Sequence, residues 1–171
     1  MSHLVVRPAT PDDLPGVAAI YTHYVLNTVI TFNTQVVPPA AWLTKFQKHI
    51  VEGPYTLLVA AIGGHVVGFI ETGPFRPKQA YNRSVEITVY VSPDGRGSGV
   101  GTALFAELTA RLDADPRFHR ALSLIALPND ASIAIHEKFG FVHRGTLTEV
   151  GHKFGGYIDV AYYERPLGPP T

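Results

Sequence analysis

A glutamate and a glycine-rich loop lie close together in the sequence and are the residues best suited to chemistry. Glu86 lies in the apolar run SVEITVYV, and the segment RGSGVG, residues 96–101, follows the turn residues Pro93-Asp94-Gly95. Glycines let a backbone approach a ligand closely, and the first amides of a helix are unpaired donors at the positive end of its dipole. The stretch therefore predicts a site for an anionic, phosphate-bearing ligand, with a carboxylate on the strand that leads into it.

A strand, a loop and a helix must position these residues. Alternation along an extended segment 84–91 places its valines and isoleucine on an apolar face and Glu86, Thr88 and Tyr90 on a polar face. Beyond the loop, apolar residues recur at helical spacing, which predicts a helix that begins near Val100: Val100, Ala103, Leu104 and Leu108.

Spacing decides which phosphate loop this is. A dinucleotide fingerprint that begins at Gly97 needs glycine where Thr102 stands, and a P-loop that begins at Gly95 needs Gly-Lys where Val100-Gly101 stands. Both patterns fail. The remaining pattern, Arg-x-x-Gly-x-Gly over residues 96–101, resembles the acetyl-CoA pyrophosphate loop of the GNAT N-acetyltransferase superfamily. The alternative is a flexible glycine turn between a core strand and a helix.

Composition limits the classes of protein to consider. The chain has 171 residues, 46% of them hydrophobic, which suits one domain over residues 1–171 with a proline-rich tail, about 166–171, that we expect to fray. Its 14 basic and 14 acidic residues form no long basic run, so we expect a small-molecule partner and neither nucleic acid nor membrane. No signal-peptide pattern or membrane-length apolar run is evident, which predicts a cytoplasmic protein.

The absence of cysteine excludes a further set of mechanisms. With no cysteine in the sequence, disulfides, thiolate metal sites and an acyl-cysteine intermediate are all excluded. The eight histidines lack close metal-ligand spacing, so no metal site is predicted.

The remaining elements alternate between strand and helix. Gly63-Gly64 between two apolar runs predicts a hairpin, Asn129 precedes a short helix that Gly140 ends, and the last two strands are expected at 141–147 and 157–163. Strands interleaved with helices indicate an α/β or α+β domain with a mixed sheet.

Four segments extend the resemblance over nearly the whole chain. The runs HYVLNTVITFNT, TVYVSPDGRGSGVG, LPNDASIAIHEKFGF and GHKFGGYIDV are similar to the phosphinothricin acetyltransferase branch of the GNAT superfamily. The resemblance implies a splayed, V-shaped sheet that binds acetyl-CoA between its two central parallel strands, and a homodimer. The residues it implies for acetyl-CoA are Val89, Tyr90, Val91, Arg96, Gly97, Ser98, Gly99, Val100, Gly101, Thr102, Asn129 and Ser132. Helix capping is the alternative role for Asn129 and Ser132.

The same resemblance implies direct acetyl transfer to an amine. An alkylamine must lose a proton before it attacks a thioester, and Glu86 is the predicted base. Backbone N–H groups near Val89 to Val91 would stabilise the oxyanion. His136 is the predicted acid for the departing thiolate, with Tyr90 or Tyr81 as substitutes. A buried histidine that is hydrogen-bonded into its helix is the alternative role for His136.

The branch implies a small acceptor such as phosphinothricin, methionine sulfone or methionine sulfoximine. Basic residues of the connector 74–83 could receive its carboxylate, although a solvated basic loop is the alternative. The predicted substrate contacts are Phe32, Arg76, Lys78, Tyr81, Arg83 and Lys153; core packing is the alternative for Phe32.

Two departures from the branch lie near the expected acceptor site. Asn82 stands where many members have arginine, and Gly156-Tyr157 stands where many have Arg-Trp. They leave open which arginine, Arg76 or Arg83, serves instead. Other acceptors, such as a protein N-terminus or a polyamine, and a non-catalytic acetyl-CoA-binding module remain the alternatives.

Overall fold

The computed structural model describes residues 3–168. Its strands form one sheet in the order β1-β2-β3-β4-β5-β7-β6. Most neighbours are antiparallel, and β4 and β5 are parallel, so the sheet is mixed as expected. The strands are β1 (Leu4–Pro8), β2 (Leu57–Ile62), β3 (His65–Pro74), β4 (Ser84–Val91), β5 (Arg120–Ala126), β6 (Val142–Lys153) and β7 (Gly156–Pro166).

Helices flank this sheet. They are α1 (Leu14–Asn27), α2 (Pro39–Phe46), α3 (Val100–Asp113) and α4 (Asp130–Lys138). A 3-10 turn, Pro11–Asp13, leads into α1, and the Asp13 carboxylate accepts a hydrogen bond of 2.8 Å from the Thr10 amide. A π-helical turn, Gln47–Val51, extends α2.

The two central strands pair over only part of their length. The parallel register joins Ser84–Glu86 to Arg120–Leu122, although β4 continues to Val91 and β5 to Ala126. Beyond Glu86 the strands are no longer paired, and a cleft opens between them. The predicted splayed sheet is confirmed.

The register between β3 and β4 determines which backbone groups face this cleft. The amide of Ser92 donates to the Val67 carbonyl at 2.8 Å. In an antiparallel pair, every second residue directs its N–H and C=O groups at the partner strand, so this bond determines which residues of β4 face β3. The N–H and C=O groups of Ile87, Val89 and Val91 must then face the opposite side, where β5 has separated. The cleft is thus lined by an edge of β4 that has no partner strand beyond Glu86.

Apolar clusters cover both faces of the sheet. One cluster centres on α3 and includes Leu104, Phe105 and Leu108, all fully buried. The other joins α1 and α2 to the opposite face and includes Tyr90. The predicted polar face of β4 is therefore correct at Glu86 and Thr88 and wrong at Tyr90, because α1 covers that end of the strand.

The end of the chain differs from its prediction. β6 and β7 form one long hairpin, and a register shift between Leu147 and Gly151 accommodates extra residues where a loop was expected. The amide of Leu167 donates to the His119 carbonyl at 3.0 Å, so the expected frayed tail is paired at its beginning. The rest of that tail, from residue 169, lies outside the described residues.

Candidate active site

The cleft between β4 and β5 has a volume of about 1430 Å³. Residues from β4, β5, α3 and α4 line it, and α1, α2 and the loop that contains Phe32 form the opposite wall. The glycine-rich loop lies at the end where β4 finishes, and Glu86 lies nearer the point where the strands separate. The anion-binding loop and the carboxylate predicted from the sequence therefore share one cavity.

The glycine loop has the backbone geometry of an anion site. Gly97 and Gly99 have φ angles of 77° and 79°, a region that side chains disfavour. Gly99 is the N-cap of α3, so the first amides of that helix are directed toward the cleft. The Ser98 hydroxyl donates to the Gly95 carbonyl at 2.6 Å and shapes the loop. The loop fits a pyrophosphate group.

Tyr24 connects α1 to this end of the cleft. Its hydroxyl donates a hydrogen bond of 2.6 Å to the carbonyl of Val91, the last residue of β4. The guanidinium of Arg96 lies 3.5 Å from the same hydroxyl and over the same ring. Tyr24 therefore fixes both the strand end and the first residue of the loop, a role that the sequence analysis missed.

Glu86 is half-buried in the cleft wall. Burial raises the pKa of its carboxyl, and the negative charge of Glu71 raises it further. The positive charges of Arg76 and Lys45 oppose these effects. A carboxylate with a raised pKa and no ion-pair partner among the described residues is suited to accept a proton.

His136 is held inside the protein on α4. It is 1% exposed, and burial lowers its pKa to about 4, so the imidazole is neutral near pH 7. Its Nδ1–H donates to the Ser132 carbonyl at 2.7 Å, because a carbonyl can only accept. Its Nε2 then accepts from the Ser123 hydroxyl at 2.6 Å. The Ser123 oxygen also lies 3.1 Å from the Ile87 carbonyl, at the point where the strands separate.

The structure brings nearly all predicted acetyl-CoA residues to the cleft. Ser98 is the exception, because it does not line the cavity. Asn129 both lines the cleft and caps α4, with its Oδ1 accepting from the Ser132 amide at 3.2 Å. Asn129 therefore lies where the resemblance predicted, and it also has the capping role that was its alternative.

The predicted substrate contacts divide into two groups. Phe32 lines the cleft. Arg76 is exposed and does not line it, but it donates at 3.3 Å to the hydroxyl of Tyr162, which does. Lys78, Tyr81 and Arg83 are exposed in the connector and do not line the cavity of this chain.

Lys153 is buried away from the cleft. It is 4% exposed, and its ammonium donates at 2.8 Å to the Thr31 carbonyl and at 3.5 Å to that of Tyr24. The predicted substrate contact at Lys153 is therefore not supported, because its donors are committed to backbone carbonyls and it does not line the cavity.

An aromatic wall and an ion pair were not anticipated. Tyr21 contacts Trp42 and Tyr90 edge-on at centroid distances of 5.4 and 5.1 Å, and all three rings line the cleft. Lys45 and Glu71 form an ion pair of 2.6 Å on the same side. Nothing local in the sequence indicated that Lys45 of α2 faces Glu71.

The fold and this site define a class of protein. The chain matches the Acetyltransferase (GNAT) family over residues 18–141, and it belongs to that family. It is an acetyltransferase that uses acetyl-CoA. No helix within residues 3–168 is long and apolar enough to span a membrane, and no cluster of potential metal ligands occurs in that range.

Individual relatives are similar over almost their whole length. The phosphinothricin N-acetyltransferase of Streptomyces coelicolor is 46% identical, over 95% of each chain. The L-methionine sulfoximine/L-methionine sulfone acetyltransferase of Pseudomonas aeruginosa is 36% identical, over 96% of this chain and 95% of its own. The crystal structure of a phosphinothricin acetyltransferase from Sinorhizobium meliloti in complex with acetyl-CoA is 34% identical, with a TM-score of 0.92 over 98% of this chain and 93% of its own.

Proposed function

We propose that this protein transfers the acetyl group of acetyl-CoA directly to the amine of a small amino acid such as phosphinothricin, methionine sulfone or methionine sulfoximine. The observation that carries the proposal is the position of Glu86. This carboxylate is half-buried in the cleft wall, at the last parallel pair before the exposed edge of β4. The names of the relatives support this class of acceptor.

The residues of the cleft support a short sequence of steps. Glu86 takes a proton from the acceptor ammonium, directly or through a water, and the free amine attacks the carbonyl carbon of the acetyl group. The carbon–sulfur bond breaks, the amide forms, and coenzyme A leaves with its sulfur electron pair. Backbone N–H groups of Val89 and Val91 face the cleft and could stabilise negative charge on the acyl oxygen. The attacking nitrogen then loses a second proton, which passes through solvent to the thiolate and gives the thiol of coenzyme A, and Glu86 releases the first proton to solvent.

The acid role of His136 stays a prediction. A neutral imidazole whose Nε2 accepts from Ser123 has no proton to give at that nitrogen. Geometry therefore favours a positioning role, in which His136 orients the Ser123 hydroxyl at the point where β4 and β5 separate. Of the alternatives, Tyr90 lines the cleft, and burial raises the pKa of its phenol, while Tyr81 does not line the cavity.

The charges around Glu86 suit a zwitterion. Two carboxylates, Glu86 and Glu71, and two cations, Lys45 and Arg76, act on one another at this end of the cleft. The group is neutral overall, which matches an acceptor that carries one ammonium and one carboxylate. A polyamine would require an excess of negative charge, so we rank it below an amino acid.

The homodimer is part of the proposal. Several large apolar side chains of the β6–β7 hairpin are exposed by about half or more: Leu147, Val150, Phe154 and Tyr157. Leu147 and Val150 also line the cleft. We infer that a second copy covers this surface, which would enclose the acceptor end of the site. Light scattering on the purified protein should give twice the chain mass, and Val150→Asp should reduce it to one chain.

A thiol-release assay tests the proposed function. The purified protein is incubated with acetyl-CoA and a panel of amino acids, a polyamine and a peptide with a free N-terminus, and free coenzyme A is followed. Turnover with methionine sulfone, methionine sulfoximine or phosphinothricin is expected. Tight acetyl-CoA binding without turnover on any amine would contradict the proposal and favour a binding module. The cytoplasmic location also stays a proposal, which cell fractionation would test.

A further inference from the structure

Two carboxylates of adjacent strands lie on one face of the sheet. Glu71 of β3 pairs with Thr88 of β4, and Glu86 lies two residues before Thr88. Cross-strand partners share a face, and so do alternate residues, so Glu71 and Glu86 are diagonal neighbours. Such neighbours are roughly 7 Å apart, and both of these line the cleft.

Within residues 3–168, only one of the two carboxylates has an ion-pair partner. Lys45 of α2 lies 2.6 Å from Glu71 Oε1, and the side chain of Glu71 is 11% exposed while that of Lys45 is 41% exposed. The Lys45 ammonium also lies 5.5 Å from the centre of the Trp42 ring. Packing therefore fixes the ion pair in position. Glu86 is the carboxylate that remains available to accept a proton.

The charged groups that face Glu86 come from three elements. Glu71 lies on β3, Lys45 on α2 and Arg76 on the connector after β3, where Tyr162 of β7 holds it. His49 lies just after α2, and burial lowers its pKa. The charges of Lys45 and Glu71 also act on the His49 ring. The phenols of Tyr21 and Tyr90 complete the lining on this side.

We propose that Lys45 and Glu71 are positioning residues for acetyl transfer. Their ion pair sets a positive charge against the negative charge of Glu71, so that neither charge acts alone on Glu86, the carboxylate that takes the proton of the acceptor ammonium. This inference rests on the proposed function and adds to it a role for two residues outside the base and the acetyl-CoA loop.

The two charges act in opposite directions. Removing the positive charge with Lys45→Met favours the protonated form of Glu86, so its titration moves to higher pH. Removing the negative charge with Glu71→Gln favours the ionised form and moves the titration to lower pH by a similar amount. The double variant should return close to the wild type, and Lys45→Arg and Glu71→Asp, which keep the charges, should too.

The experiment measures Glu86 itself and then the reaction. Carboxyl resonances of protein labelled with ¹³C-glutamate are titrated, and the Glu86 signal is identified by its loss in Glu86→Gln. The acid limb of kcat/KM against pH is then recorded for the same variants with the best acceptor of the panel. Lys48→Met, an exposed lysine one position before His49, is the matched control and should move neither curve.

The outcomes separate the two claims. Opposite shifts of the Glu86 signal, reversed in the double variant, support the proposal. Unchanged titration, or shifts of the same sign in both variants with only a loss of stability, would overturn it and leave the pair a structural contact. If the Glu86 signal moves as expected and the acid limb does not follow it, the charge coupling is supported and the base role of Glu86 is contradicted.

Discussion

The Nε2 atom of His136 lies 2.6 Å from the hydroxyl oxygen of Ser123, and both residues are buried. The contact joins α4 to β5 where β5 separates from β4. It explains why a titratable side chain is tolerated there: each ring nitrogen has a partner, and the ring is neutral.

This contact makes the stability of the protein depend on pH. Burial lowers the pKa of His136 to about 4 in the folded protein, whereas the unfolded chain binds that proton near 6.5. The free energy of unfolding should therefore fall as the pH drops from about 6.5 to about 4, by at most about 3 kcal/mol from this residue. Urea unfolding across this range measures the slope.

Two variants isolate the histidine. In His136→Gln, the free energy of unfolding should lose the part of its pH dependence that comes from this residue. His65→Gln, at an exposed hairpin position, should keep the full pH dependence. If His136→Gln does not fold, ¹⁵N shifts of the wild-type ring at pH 5 serve instead. A cationic ring at that pH would contradict the assignment.

Tyr24 should contribute to acetyl-CoA binding without touching the acceptor. Tyr24→Phe keeps the ring and removes the hydroxyl that holds the Val91 carbonyl and lies near Arg96. Loss of one hydrogen bond predicts a roughly fivefold weaker affinity for coenzyme A by calorimetry. Tyr21→Phe is the control, because it removes from α1 a hydroxyl that pairs with Thr31 in the loop after the helix. Equal effects in both variants would contradict a specific role for Tyr24.

Arg76 should bind the acceptor carboxylate more strongly than its neighbours in the connector. Neither Arg76 nor Lys78 lines the cavity, but the charge of Arg76 acts on Glu86, and its side chain donates to Tyr162, which does line it. Arg76→Gln should raise the acceptor KM about tenfold, measured at alkaline pH to favour the ionised form of Glu86. Lys78→Gln should stay near the wild-type value. A larger effect at Lys78 would place the carboxylate in the outer connector.

Lys153 should matter for stability and not for the acceptor. Lys153→Met removes the donor to the buried carbonyls of Thr31 and Tyr24, which should lower the free energy of unfolding by about 1–3 kcal/mol. The acceptor KM of the folded variant should remain within about twofold of the wild type. Lys48→Met controls for the loss of a surface charge. A change of the acceptor KM in Lys153→Met that is absent in Lys48→Met would support the predicted substrate contact of Lys153.

Local patterns in the sequence were enough for the parts of the site that depend on neighbours along the chain. The glycine loop, the Gly63-Gly64 hairpin and the cap at Asn129 involve residues a few positions apart, so spacing identifies them. Lys45 and Glu71 are 26 positions apart, and their contact depends on how α2 packs on the sheet. The place of Lys153 likewise depends on how the β6–β7 hairpin folds against α1, which no local pattern encodes.

Glu86 gives the most direct test of the whole account. Glu86→Gln should bind acetyl-CoA as tightly as the wild type and lose at least about 100-fold in kcat/KM for the acceptor at pH 7. The acid limb of the wild-type profile should follow the titration of the Glu86 carboxyl, whose pKa burial has raised. Wild-type rates in Glu86→Gln from pH 6 to pH 9, with acetyl-CoA binding intact, would contradict the central claim that Glu86 is the base.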